Sequence, residues 1–459
     1  MDIYVSDILE KCSGKLLCGD KELVLNNFCK DSREVKNGDV YVGIKGEVFN
    51  GNIFYEDAFG RGAKCCILDV DTKIDSKYKD KTIVLVEDTV RCIQELAKYK
   101  RSLYDIPVIA ITGSVGKTST KDMVYSVVSE KYNTLKTVGN YNNEIGLPLT
   151  ILSLSDEDAL ILEMGMNHFG ELSMLTNIAR PSIAVITNIG TAHIGNLGSR
   201  DNILKAKLEI LEGLDKDGIL IINNDNDLLH DKYQELVNKY NVVSIGIDND
   251  SDYMAKNIKD NIFSSSFDII GKCNGIDVGV GGKAFIYNAM IAYSIGDKLG
   301  IDKDKIKNGI SKFKLSSHRV EKKVNKRGTT VIDDTYNASY DSMKESIEML
   351  GKVKDKRRIA ILGDMLELGE YSVKLHTDIG EVICDNKIDI LITIGEYSKY
   401  IADRAIELGF IQDFIYGFDK EDESYDLLDS LLTDHDIILV KGSHGINLVN
   451  IVDYIMKLR

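Results

Sequence analysis

The residues best suited to chemistry lie in one short run, Gly113-Ser114-Val115-Gly116-Lys117-Thr118-Ser119, between the apolar string PVIAIT and the helix-forming string TSTKDMVYSVVSEK. A strand that turns through glycines into a helix aims backbone N–H groups at an anion. A lysine there reaches terminal phosphates, and a threonine hydroxyl can ligate magnesium. The expected ligand is therefore ATP or GTP with Mg²⁺. Ile111 stands where the longer P-loop pattern needs glycine, so the run is the shorter GxxGK[ST] form. No base-reading NKxD segment follows a later strand, which sets aside a switch GTPase. A magnesium triphosphate also needs oxygen and nitrogen ligands at the ends of neighbouring strands. Glu163 closes the apolar run of DALILEMG and His193 follows SIAVITNIG, which places both at a sheet edge.

The elements that must hold these residues are read from the apolar pattern. Short β-like runs (KLLCG, DVYVGIKG, KCCILDV, KTIVLVED) and a helix from Thr89 to Tyr104 make a small α/β unit. From Ile106, apolar strands alternate with helices (PVIAITG, DALILEMG, SIAVITNIG, DGILIINND), which implies a parallel sheet. A second such series (TTVIDDTYN, RRIAILGDM, DILITIGE, DIILVKGSHG) follows the polar segment KLSSHRVEKK. The expected architecture is α/β in three domains, with boundaries at 1–98, 99–315 and 316–459. The acidic run DKEDESYDLLDSLLTDHD (419–436) reads as a solvated helix face, and NNDND (223–227) as a strand-end turn.

Size and charge exclude other classes. A chain of 459 residues, 44 % hydrophobic, is far too large and apolar for disorder or a stapled mini-protein. With 57 basic and 72 acidic side chains the net charge is −15, which argues against general nucleic-acid binding. No run is long enough to span a membrane, and the start MDIYVSDILEKCSG lacks the order of a signal peptide, so a soluble cytoplasmic protein is expected; a monomer is expected as well. The eight cysteines show no CxxC spacing and are expected to be mostly small buried hydrophobes, with neither structural zinc nor a disulfide framework.

Several further motifs occur in a fixed order: DSREVKNGDVYVGIKGE (31–47), GNYNNEIGLPLTIL (139–152), EMGMNHFGEL (163–172), TNIGTAHIGNLGS (187–199), KAKLEI (205–210), VIDDTYNASYDSM (331–343), ILGDMLELGEYSVKLH (361–376) and VKGSHG (440–445). With the GSVGKTS turn they resemble the Mur ligases of bacterial cell-wall synthesis over essentially the whole chain. The resemblance implies a UDP-sugar domain, a central ATPase domain and a Rossmann-like third domain that rotates onto the nucleotide. It also implies ATP-driven amide formation through an acyl phosphate. Within the family the motifs are closest to the member that joins D-alanyl-D-alanine to UDP-N-acetylmuramoyl-tripeptide, which makes these the expected substrates.

The resemblance also assigns roles. Gly113, Ser114, Gly116, Lys117, Thr118 and Ser119 would hold the nucleotide phosphates, and Asn288 would meet adenine. Thr118 and Glu163 would serve magnesium, and His193 a second ion. Lys207 matches a family lysine that CO₂ converts to a carbamate; from the residues alone it is an ordinary helix-surface lysine. Ser32, Arg33 and the Gly46-Glu47 turn would take the uridine-diphosphate end, with Asn142 and Asn143 nearer the phosphates. Arg319, Asp334, Tyr336 and Asn337 would fold over the nucleotide, with Asp334 on the ribose or amine side.

Four departures bear on substrate contacts. Asn50-Gly51-Asn52 replaces DGH, Ala284 replaces a histidine, Ser339-Tyr340 replaces Asn-Pro, and His444 replaces an arginine. The last two fall where an incoming dipeptide would be recognised, and a histidine's charge is pH-dependent where a guanidinium's is permanent. Two other readings remain at this point: a Mur-ligase-like paralogue that takes a different amine, and a nucleotide-binding scaffold that does not ligate.

Overall fold

The computed structural model describes residues 1–46 and 48–458. The chain forms two compact units, one of Met1–Thr112, Tyr132–Val185 and Leu208–Leu220, the other of Gly113–Lys131, Ile186–Lys207 and Ile221–Arg459.

In the first unit a five-stranded sheet runs in the order Lys15–Cys18, Thr82–Val86, Cys65–Asp69, Val40–Val42, Phe28–Cys29. All neighbours are parallel except Lys15–Cys18 on its edge. These strands are short runs of β-branched and apolar residues, buried against a core that includes Tyr41, Tyr55, Phe59, Leu68 and Ile83. The same unit holds three more parallel strands, with Ala159–Glu163 between Thr134–Lys136 and Val108–Thr112. Their register sets Glu163 opposite Ile111, at the end of the strand that leads into the glycine turn.

The helix Thr89–Ser102 is capped by Asp88, whose side chain accepts the N–H groups of Val90 and Arg91. Its last turn carries two buried cations. Lys100 Nζ donates to the Leu152 carbonyl at 3.0 Å, and the Arg101 fork donates to the carbonyls of Ala179 (2.8 Å), Tyr104 (2.7 Å) and Arg180 (3.2 Å). Leu152 and Ala179 end the helices Gly146–Leu152 and Glu171–Ala179, so the cations sit at the negative ends of two helix dipoles. Replacing Arg101 with alanine would leave three carbonyls without their donor. The expected cost is about 3 kcal/mol of stability, measured by chemical denaturation, with Arg101→Lys recovering part of it.

In the second unit the helix Lys117–Val128 packs on Lys283–Lys298 and Lys303–Ser311. Three strands, Tyr253–Asn261, Ser264–Ile269 and Cys273–Val278, form an antiparallel meander with register shifts. A six-stranded sheet follows in the order Glu321–Val324, Thr330–Asp334, Asp436–Lys441, Arg357–Gly363, Ile390–Ile394, Ile415–Phe418. It is parallel except for its first edge strand and is covered by helices, as expected for a doubly wound α/β layer. The acidic run departs from its expected solvated face at one residue. Asp436 opens a central strand, is fully buried, and accepts the Arg357 guanidinium through both oxygens at 2.7 and 2.9 Å.

All eight cysteines are free thiols, but against expectation only Cys65, Cys66 and Cys92 are buried; the other five are half-buried. Among the described residues no helix is long and apolar enough to cross a membrane.

Candidate active site

The glycine turn has the geometry its composition dictates. Gly113 has φ +151°, and a Cβ there would lie 1.9 Å from Thr187 Oγ1; Gly116 sits in the left-handed region at φ +84°. Lys117 opens the helix and donates to the Gly113 carbonyl at 2.8 Å, which curls the ammonium back over the turn. The turn is also gripped from outside. Thr187 Oγ1 and Asn188 Nδ2 donate to the Val115 carbonyl at 2.7 and 3.0 Å, while Asn188 Oδ1 accepts the Val115 N–H at 2.9 Å. Ser114 Oγ accepts the Gly190 N–H at 2.9 Å. Thr187 and Asn188 were not singled out from the sequence. Their position directly after an apolar strand, in the quoted TNIG string, is the only signal that could have found them.

Asn288 is buried, and its Oδ1 accepts Thr120 Oγ1 at 2.8 Å, one turn along the helix from Lys117. Arg319 reaches the same helix, donating to Thr118 Oγ1 at 3.0 Å while its guanidinium lies 3.9 Å from the Tyr336 ring centroid. The backbone on both sides of Arg319 is strained, with φ +62° at His318 and +51° at the β-branched Val320. Asp333 and Asp334 hold that strain in place: His318 Nδ1 lies 2.8 Å from Asp333 Oδ2, and the Val320 N–H donates to Asp334 Oδ1 at 3.3 Å. Burial disfavours the Asp333 charge, but hydrogen bonds from Lys323, Thr335 and His318 outweigh it and keep the carboxyl below its usual range. Asp334 also accepts Lys441 Nζ at 2.6 Å and Ser346 Oγ at 2.7 Å, and the Asn337 carbonyl takes a second bond from Lys441 at 3.1 Å.

Lys207 lies on the helix Arg200–Leu208 but is no surface residue, being 1 % exposed. Burial first, and the Lys117 cation second, push its pKa well below the ordinary lysine value. His193 takes a left-handed conformation, φ +65°, and its Nδ1 lies 3.2 Å from Glu367 Oε2. A carboxylate in that place is the usual partner of a metal-ligating histidine. Glu367 belongs to the quoted ILGDMLELGEY string, yet sequence alone gave it no role.

In the first unit Glu163 is 3 % exposed and accepts Asn142 Nδ2 at 2.8 Å, so the structure pairs two of the expected residues. Asn143 is exposed, and its side chain accepts the N–H of Gly146, the first residue of the helix Gly146–Leu152, at 2.9 Å. Ser32 is buried, whereas Arg33 is exposed and forked onto Asp31 at 2.6 and 2.9 Å, holding that carboxyl down at about 2. Gly46 closes a turn by donating to the Phe49 carbonyl at 2.8 Å; Glu47 lies outside the described residues. At Asn50-Gly51-Asn52 the glycine is common to the family pattern and only the two flanking residues depart from it. Gly51 has no room for a Cβ, which would sit 2.6 Å from the Ile44 carbonyl oxygen, and the buried Asn52 amide bridges Asn50 and Asp69. Ala284 lies in the first turn of the Lys283–Lys298 helix, Tyr340 opens the Tyr340–Gly351 helix, and His444 is exposed.

The loop that carries Glu367 is fastened from below by His376, which is fully buried. Its Nε2 accepts the Met365 N–H at 2.9 Å and its Nδ1 faces the Ser372 carbonyl at 2.7 Å, so the ring is neutral with the proton on Nδ1. Burial lowers its pKa below the ordinary histidine value, partly offset by the Ser372 carbonyl. The unfolded chain therefore binds a proton before the folded one does. His376 adds no penalty above about pH 6.5, and stability falls as pH drops below that value toward its lower folded pKa. His376→Gln is expected to be less stable at pH 7.5 but to lose less on acidification to pH 5, as read by thermal denaturation.

The comparisons with known proteins fit this geometry. Residues 111–296 match the Mur ligase middle domain and 318–444 the Mur ligase, glutamate ligase domain. The chain belongs to the Mur ligase family. More particularly, it is 35 % identical over 451 residues, 98 % of this chain and 97 % of the relative, to the UDP-N-acetylmuramoyl-tripeptide–D-alanyl-D-alanine ligase of Bacillus subtilis. The ligase of the same name from Escherichia coli is 32 % identical over 407 residues, 88 % of each chain. Among solved structures, MurF from Acinetobacter baumannii superposes with a TM-score of 0.90 at 27 % identity, covering 100 % of this chain and 99 % of that one. MurF ligase from Thermotoga maritima in complex with ADP gives 0.81 at 28 % identity, covering 94 % and 97 %.

Proposed function

We propose that this protein uses ATP to join D-alanyl-D-alanine to UDP-N-acetylmuramoyl-tripeptide, forming an amide bond and releasing ADP and phosphate. The observation that carries the reading is the end-to-end likeness to the Bacillus subtilis ligase, 35 % identical over 451 residues. In the reaction, a carboxylate oxygen of the tripeptide attacks the γ-phosphorus and ADP leaves. The dipeptide amine, having lost a proton, then attacks the acyl carbon and phosphate leaves. Both steps move negative charge across phosphate and acyl oxygens, so prearranged cations and N–H groups are what the protein must supply. Lys117 and the 113–119 turn hold the phosphates, Asn288 and Arg319 the nucleoside side, with Asp334, Tyr336 and Asn337 beside them. Ser32, Arg33, Gly46, Asn142 and Asn143 serve the UDP-sugar.

Magnesium, when bound, would add positive charge at the phosphate oxygens; Thr118, Glu163 and His193 are its proposed donors, with a Lys207 carbamate supporting the second of two ions. The burial of Lys207 within reach of the Lys117 cation fits a carbamate, because a negative group there turns a repulsion into an attraction. ATP and a nucleotide-linked sugar belong to the cytoplasm, where we place the reaction. The test supplies UDP-sugar tripeptide, ATP and candidate amines and identifies products by mass. ADP and phosphate should form only with both carboxylate and amine present. AMP with pyrophosphate would overturn the reading, and a preference for D-Ala-D-Ser with D-Ala-D-Ala inert would reassign the amine.

A further inference from the structure

Asp341 stands second in the helix Tyr340–Gly351, where the helix dipole favours a carboxylate, but it is not used to cap that helix. Ser339 does so, accepting the Ser342 N–H. The Asp341 carboxylate instead reaches across to the 187–199 segment: Oδ2 accepts both the N–H of Thr191 at 2.6 Å and its hydroxyl at 2.8 Å. Gly190 makes the approach possible, since a Cβ there would lie 2.3 Å from that same oxygen. The neighbouring N–H, that of Gly190, is the one donated to Ser114 of the phosphate-binding turn. Two consecutive residues are thus held from opposite sides, one by the nucleotide turn and one by the first turn of a helix on the six-stranded sheet. The same segment is fastened farther along, where Tyr371 Oη donates to the Gly198 carbonyl at 2.6 Å. Between these two points lies His193.

We propose that Asp341 is a positioning residue for ligation: through Thr191 it registers the six-stranded sheet, with Arg319 and Lys441, against the phosphate-binding turn. It touches no reacting atom. A carboxylate suits the task because one oxygen takes two donors, and a charged acceptor makes both bonds short. Misplacement of groups by about 1 Å costs phosphoryl and acyl transfer on the order of 100-fold in rate.

The inference rests on the ligase reading, and the test separates the two. Asp341→Ala is expected to lower kcat about 100-fold while the KM for ATP changes less than about threefold. Asp341→Asn keeps one acceptor oxygen and should retain most activity, and Thr191→Val should cost little once Asp341 is already alanine. Hydrogen exchange of the 187–199 peptide in the full-length protein gives a readout independent of turnover. Exchange should rise in Asp341→Ala and not in Asp341→Asn. Unchanged exchange, an unchanged kcat, or a loss of melting temperature with kcat per folded molecule intact would overturn the assignment. Raised exchange in a protein whose wild type forms no ligation product would sink the ligase reading alone.

Discussion

Lys117→Met is expected to reduce ATP turnover by at least about 1,000-fold, near 4 kcal/mol of transition-state stabilisation, while leaving the fold intact. The side chain is half-buried at a helix N-terminus, and its ammonium curls over the turn to the Gly113 carbonyl. Methionine keeps the stem and its packing but removes the charge proposed to follow the γ-phosphate. The turn would keep its shape, since Thr187, Asn188 and Ser114 fix it without the lysine. Steady-state ADP release, with nucleotide affinity measured separately, reads the effect. Turnover like that of the wild type would remove Lys117 from the site. The variant also has a second consequence, because the Lys117 cation is one of the two causes that keep Lys207 below its ordinary pKa. The Lys207 amine should become more basic when it is gone.

Lys207→Ala is expected to be almost inactive and to recover part of its rate when formate or acetate is added. A neutral amine can attack the carbon of CO₂, forming an N–C bond and shedding a proton, and Lys207 is held toward that neutral form by burial and by Lys117. The carbamate it would become is an anion that a small carboxylate can replace. With ¹³C-labelled bicarbonate, wild type should show a carbamate carbon that Lys207→Ala lacks. Full activity in Lys207→Ala, or wild type without that signal, would return Lys207 to a purely structural role. Stability moves the other way. A lysine whose folded pKa is depressed costs stability at every pH below its unfolded value, increasingly so toward its folded pKa. In bicarbonate-free buffer at neutral pH, Lys207→Met should therefore be more stable than wild type although inactive. A site that has to keep a buried amine gives up stability for it.

What the sequence determined by itself is mostly local. A strand, two glycines and a helix start fix the glycine turn within seven residues, because left-handed φ values and a helix N-terminus are properties of neighbouring residues. The apolar strands of both α/β series were legible for the same reason: buried parallel strands are continuous hydrophobic runs. The meander Tyr253–Val278 was not, since its strands are mostly polar and broken by register shifts, with little period to read. Tertiary structure alone decided the rest. Lys207 reads as a surface lysine in its helix and becomes a depressed, buried amine only when the chain surrounds it and sets Lys117 nearby. Asp436 looks like one more charge in an acidic run until a central strand buries it against Arg357. The Val115–Asn188 and Thr191–Asp341 bonds close over sequence separations of 73 and 150 residues. Neither partner's type predicts the other. Desolvation and Coulomb energy depend on distances between residues, and those distances exist only once the chain has packed.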